Sequence, residues 1–194
     1  MVDGSSHVNA HTPDAWLSTP LRIDPVSAGK GMGRIGITLC PGKTDRHAMT
    51  GPTKRDLAED LDVIRDWGAR AVVALVTRRE MEDLKVPSLG DDVRSRGMEW
   101  LHLPILDGHV PDDDFEAQWV ETGAAIRNHL RSGRDVLVHC KGGLGRAGTI
   151  AARLMVELGT PPEDAMRLVR ESRSDAIETA EQEAHVRSCR ALAE

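Results

Sequence analysis

The chain has 194 residues, of which 40% are hydrophobic and 29% charged, and its net charge is −6. That balance suits one globular domain with a sizeable core, and the negative charge argues against a general nucleic-acid binder. No apolar run approaches the ~20 residues that span a bilayer, and the N-terminus shows no basic-then-apolar leader pattern, so a cytoplasmic location without a membrane partner is expected.

Residues 1–18 are polar and aperiodic, which predicts a loose arm ahead of a domain over 19–194. Two short strands, 21–24 and 34–38, flank a glycine-rich turn at 29–33 and read as a hairpin. The spacing then predicts a helix over 53–67, with Thr53 as N-cap, Leu57, Leu61 and Ile64 on one face, and Gly68 as the stop. Residues 71–76 are continuously apolar, as in a strand buried on both faces, and 100–105 alternate like another strand. Asp112 or Asp113 caps a helix carrying Phe115, Trp119 and Ile126 on one side. Residues 135–139 form the last strand. Two or three helices follow, one opened by a capping box at 160–163 with proline at its first position. Strands alternating with helices predict a single α/β domain with a mostly parallel central sheet flanked by helices. Three cysteines, Cys40, Cys140 and Cys189, do not make a disulfide framework.

The segment Val138-His139-Cys140-Lys141-Gly142-Gly143-Leu144-Gly145-Arg146-Ala147-Gly148-Thr149 carries the chemistry. A buried strand runs into a glycine-rich loop and then a helix. A helix N-terminus offers unpaired N–H groups and the positive end of its dipole, and glycines let the loop aim further N–H groups at one point. Together they make an anion cradle. Cys140 lies at its mouth, where that field and Arg146 favour the thiolate nucleophile. Arg146 can grip two phosphate oxygens with its planar fork.

This Cys-x5-Arg spacing, with His139 before it, resembles the cysteine-based protein phosphatase superfamily of tyrosine and dual-specificity phosphatases. Pro104-Ile105-Leu106-Asp107-Gly108 followed by Pro111 is similar to that family's general-acid loop. Leu39-Cys40-Pro41-Gly42-Lys43, the Asp107-Gly108 pair, residues 142–146, and Ala176-Ile177-Glu178-Thr179 with Gln182 resemble most the cyclin-dependent kinase inhibitor 3 group, the kinase-associated phosphatases. The resemblance implies a protein-tyrosine-phosphatase-like fold and hydrolysis of phosphomonoesters through a phosphocysteine, without a cofactor. It implies Cys140 as nucleophile, Arg146 as phosphate clamp, Asp107 as acid and then base, and His139 tuning the thiolate. The backbone of Lys141, Gly142, Gly143, Leu144 and Gly145 would line the cradle. A phosphorylated protein, on tyrosine or on serine and threonine, is the implied substrate, and a kinase the implied partner. Most of the superfamily has Ser or Thr after the arginine, to stabilise the departing thiolate. Ala147 stands there instead, as in the phosphatases of regenerating liver, which are regarded as slow at releasing phosphate from cysteine. A rival reading is therefore a low-turnover binding module that traps phosphorylated partners.

Plainer readings stand beside these. Asp107 is also a plausible turn residue before Gly108, and Lys141 either attracts anions or is solvated charge. Asp112, Asp113 and Asp114 read as helix-capping residues, Arg170 and Arg173 as helix-surface charge with the rim of the pocket as the alternative, and Gln182 as an exposed helix residue with positioning of water in the second step as the alternative. Cys40 and Cys189 read as plain thiols, with a protective Cys40–Cys140 disulfide as the alternative. Residues 31–36 and 143–148 match a dinucleotide fingerprint, but the first precedes a strand and the second lacks an acidic residue after a following strand. His102, His109 and Asp107 share a short loop without ligand spacing, so no metal is expected. A sulfur transferase or arsenate reductase is disfavoured, since sulfur transfer needs no acid at Asp107.

Overall fold

The N-terminal hairpin forms between β1 (Asp24–Ser27) and β2 (Arg34–Thr38) in a computed structural model that describes residues 19–46 and 52–193. The arm expected over 1–18 lies outside the described residues. β1 falls closer to the turn than the expected 21–24. Its antiparallel ladder runs from Asp24 opposite Ile37 to Ser27 opposite Arg34, so the strand must abut the turn that closes it.

β3 (Thr44–Asp45) and β4 (Thr53–Lys54) pair in a short ladder that claims Thr53. α1 (Leu57–Trp67) therefore starts later than expected, and Asp56 caps it by accepting from Glu59 N–H at 2.9 Å. Gly68, at φ 98°, ends it in the left-handed conformation that the glycine allows. The chain continues through β5 (Ala69–Ala74), α2 (Arg78–Asp83), α3 (Leu89–Ser95), β6 (Glu99–His102) and α4 (Asp113–Arg131). β7 (Asp135–His139), α5 (Gly145–Glu157), α6 (Pro162–Ser172) and α7 (Ala180–Ser188) complete it. α2 and α3 are too short to show a helical period in sequence. Asp112 caps α4, as expected. Thr160 does not cap α6: its N–H bonds Met155 O at 2.9 Å, prolonging the end of α5, and Pro161 holds the cap position ahead of Pro162.

The sheet order is β1-β2-β7-β5-β6, antiparallel at β1–β2 and parallel elsewhere. Alternation splits the central strands between two cores. Val136, Val138, Ala71 and Val73 face a core with Phe115, Ile126, Ile150 and Leu154 from α4 and α5. Leu137, Val72 and Val76 face a second core with Leu61, Ile64, Leu89 and Val93 from α1 and α3. Burial on both faces explains the unbroken apolar run of β5. The parallel strands end together at Thr38, His139, Ala74 and His102, and such carboxyl ends are where open α/β sheets bind ligands. Among the described residues no helix is long and apolar enough to cross a membrane.

Candidate active site

β7 delivers His139 and Cys140 to that edge, and the loop from Lys141 to Leu144 turns directly into α5. Gly143 has φ 72°, and a Cβ there would lie 2.4 Å from the Thr38 carbonyl carbon, so the loop's approach to β2 requires glycine. Its N–H points inward and donates to Cys140 Sγ at 3.2 Å. Cys140 is 3% exposed.

Arg146, in the first turn of α5, is buried and held from several sides. Its fork donates to both oxygens of Glu80, at 2.9 and 2.8 Å, and Nη1 donates to Ile105 O at 2.8 Å. Nη2 lies 2.9 Å from Asp107 Oδ1. Buried Nε has no hydrogen-bond partner among the described residues, which leaves a donor for an oxyanion. Burial pushes the Glu80 carboxyl up, but the Arg146 fork and Thr77 outweigh it and hold the group below its ordinary range.

Asp107 is thereby brought to the arginine across a loop anchored at two points. Ile105 N–H bonds Leu75 O at 3.0 Å, which extends the β5–β6 pairing past His102, where the strand ends short of the expected Ile105. Gln182 Nε2 donates to His109 O at 3.4 Å at the far side. His139 is fully buried, and burial lowers its pKa to about 4, so the imidazole is neutral. Its Nδ1 lies 3.4 Å from Cys140 O. Thr149 Oγ1 donates to Gly145 O at 2.7 Å and so is turned into its own helix, while Ala147 presents only a methyl group.

Several residues differ from their plain readings. Arg173 is not surface charge. It donates to Asp24 at 2.6 Å and to Gly142 O at 3.0 Å, bracing the loop from outside. Arg170 donates to the carbonyls of Ala176 and Ile177 and to Glu183, fixing the stretch that packs on Gly148. Gln182 is buried, not exposed, because it completes the capping box with Thr179 that starts α7. Lys141 is paired with Asp45 at 3.3 Å. Cys40, Cys140 and Cys189 are free thiols, with burial pushing the Cys40 thiol well up and Cys189 up to about 11. Sequence reasoning missed Glu80. Its signal was the Thr77-x-x-Glu80 capping box directly after a buried strand, which holds the carboxylate at the sheet's carboxyl edge.

An exposed carboxylate, Asp107, a cysteine in an N–H cradle and a pinned arginine thus come together at the carboxyl edge of a parallel sheet. Residues 46–186 match the family described as "PTP-SAK: Swiss Army Knife protein, DSP-PTPase phosphatase domain", and the chain belongs to that family. It is 31% identical to cyclin-dependent kinase inhibitor 3 of Rattus norvegicus over 84% of this chain and 76% of that protein. A crystal structure of kinase-associated phosphatase, with serine in place of its catalytic-site cysteine, superposes with a TM-score of 0.76 at 29% identity, covering 87% of this chain and 93% of that one. Tk-PTP in its active form is similar at a TM-score of 0.62 and 30% identity, covering 84% and 93%.

Proposed function

We propose that the chain hydrolyses phosphomonoesters of phosphoproteins through a phosphocysteine on Cys140. In the first step the Cys140 thiolate attacks phosphorus in line, the bond to the leaving oxygen breaks, and Asp107 gives that oxygen its proton. In the second step Asp107 takes a proton from water, the water oxygen bonds phosphorus, and the sulfur leaves as thiolate. Arg146 and the N–H groups from Lys141 to Gly145 hold the charge of the transferring group. Neutral His139 holds the backbone of the nucleophile. Arg146 carries this reading: a fork oriented by Glu80 beside Cys140, with Nε left over, is a preset oxyanion site. The names of its relatives, kinase-associated phosphatase and cyclin-dependent kinase inhibitor 3, point to a phosphorylated kinase as the substrate and partner to test first.

A second reading, slow turnover that leaves phosphate trapped on the enzyme, is favoured by one observation. Ala147 offers the sulfur no hydroxyl, and Thr149 is committed to Gly145 O. One experiment separates the two. Cys140→Ser should abolish hydrolysis of an aryl phosphate yet keep vanadate binding, since the cradle is backbone and Arg146. Rapid mixing of wild type should show either a steady rate from the start or a burst of about one equivalent, the mark of slow phosphocysteine breakdown. Activity in Cys140→Ser equal to wild type would sink both readings.

A further inference from the structure

The peptide unit between Gly142 and Gly143 is the part of the cradle that local sequence fixes least, because glycine on both sides leaves its rotation nearly unopposed by sterics. Both of its polar ends are nevertheless engaged. The N–H and the C=O of a trans peptide point in opposite directions. Gly143 N–H donates inward to Cys140 Sγ at 3.2 Å, and Gly142 O accepts from Arg173 Nη2 at 3.0 Å on the other side. Gly142 is exposed and Gly143 buried, so the unit stands across the wall of the cradle.

Arg173 is itself fixed. It is the C-cap of α6, and its N–H donates to Val169 O at 2.8 Å. Its Nη1 donates to Asp24 Oδ2 at 2.6 Å, with the two side chains only 13% and 10% exposed. The other Asp24 oxygen accepts from Arg22 Nε at 2.6 Å. Asp24 opens β1 and lies opposite Ile37 of β2, which pairs in turn with β7, the strand that delivers Cys140. Direct contacts therefore run from the sheet through Asp24 and Arg173 to one carbonyl of the loop. A cationic donor on that carbonyl also polarises the amide and strengthens its N–H as a donor. We propose that Arg173 is a positioning residue of this site. By holding Gly142 O outward it aims Gly143 N–H at the Cys140 sulfur, which favours the thiolate before attack. In the second step the same N–H meets the departing thiolate, to which Ala147 offers no hydroxyl. The proposal rests on the phosphatase reading of the cradle.

The test compares the full chain as wild type, Arg173→Met and Asp24→Asn, the last of which keeps the arginine but loosens its anchor. Iodoacetamide labelling of Cys140 is read by mass spectrometry across pH, beside hydrolysis of p-nitrophenyl phosphate. At about pH 6 Cys140 of Arg173→Met should label roughly tenfold more slowly than wild type, the low end of what a hydrogen bond to a charged group is worth, and kcat/KM should fall with it. The labelling rates should converge above the ordinary thiol value of about 8.5. Asp24→Asn should move both readouts in the same direction by a smaller factor. A merely loosened cradle would do the opposite, exposing the sulfur and speeding its labelling at every pH. That result would overturn the proposal, as would equal labelling in the three proteins. If Arg173→Met does not fold, Asp24→Asn decides, and labelling as fast as in wild type at about pH 6 would overturn the proposal. A wild type that neither hydrolyses p-nitrophenyl phosphate nor binds vanadate would instead remove the phosphatase reading, and with it the step that Arg173 serves.

Discussion

Asp107 is the residue on which the acid role depends, and its setting is lopsided. Its carboxylate lies 2.9 Å from Arg146 while 69% of its side chain is exposed. An exposed carboxylate beside one guanidinium is held loosely, since solvent screens the pair and it contributes little to stability. The contact matters for position: it keeps the acid at the rim of the cradle, where a leaving oxygen would be. Asp107→Asn should lose roughly 10²–10⁴-fold in kcat on alkyl phosphates, the usual worth of a general acid. It should lose far less on p-nitrophenyl phosphate, whose leaving group needs little protonation. Equal and small losses on both substrates would make Asp107 a turn residue before Gly108. The loop that carries Asp107 stood out as a pattern because Pro104, Asp107, Gly108 and Pro111 fall close together. Its contact with Arg146 was not, because it joins positions from separate elements.

At the scale of elements, α5 does two jobs at its two ends. Its N-terminus builds the cradle. Its C-terminus carries Glu157, buried against α4, which accepts from Trp119 Nε1 and Arg153 Nε at 2.8 Å each and from Arg127 Nη1. Arg153 also donates its fork to Glu116. These charges line a groove of about 610 Å³ and satisfy one another there. Glu157 lies about 18 Å along the helix from Gly145 at 1.5 Å per residue. Glu157→Gln keeps the shape but leaves Arg127 buried without its anion, and should cost about 3 kcal/mol, the low end for a broken buried pair since Arg153 keeps Glu116. Guanidinium unfolding should show that loss while kcat at 25 °C stays within a factor of two or so, because one helix length separates the defect from the chemistry. A matching fall in kcat would show that the two ends of α5 are coupled.

For the molecule as a whole, the buried histidine at the end of β7 sets a pH limit. His139 titrates near 4 in the folded chain, against an ordinary value of 6.5, because burial refuses the charged form. Between those values the unfolded chain binds a proton that the folded chain does not, so stability falls as pH drops from 6.5 towards 4. The loss from this one group is on the order of 3 kcal/mol across the window. Urea unfolding at pH 7 and pH 4.5 should show a steeper decline in wild type than in His139→Asn, which has no proton to take up. Parallel declines would mean that carboxylates alone set the acid limit. Both cores meet at this strand, with Val136 and Val138 in one and Leu137 in the other, so acid loss at His139 should register as global unfolding.

The local sequence determined those features whose physics is local. β7 and its loop were readable because a buried strand, close-set glycines and a helix start are neighbours in the chain, so Cys140 and Arg146 follow from one twelve-residue stretch. α4 and its Asp112 cap were readable for the same reason: a cap and a period of 3.6 are properties of a single segment. The sheet order had no such signal. That β2 and β5 flank β7 depends on which edges pair once two cores are filled, and this alone brings Glu80 to Arg146. Arg173 and Gln182 were misjudged because a charged or amide side chain on a helix looks solvent-facing until its partner is placed. Their partners, Gly142 and His109, lie 31 and 73 residues away. Tertiary structure decided these contacts because hydrogen bonds and ion pairs depend on proximity in space, and distance along the chain carries no information about it.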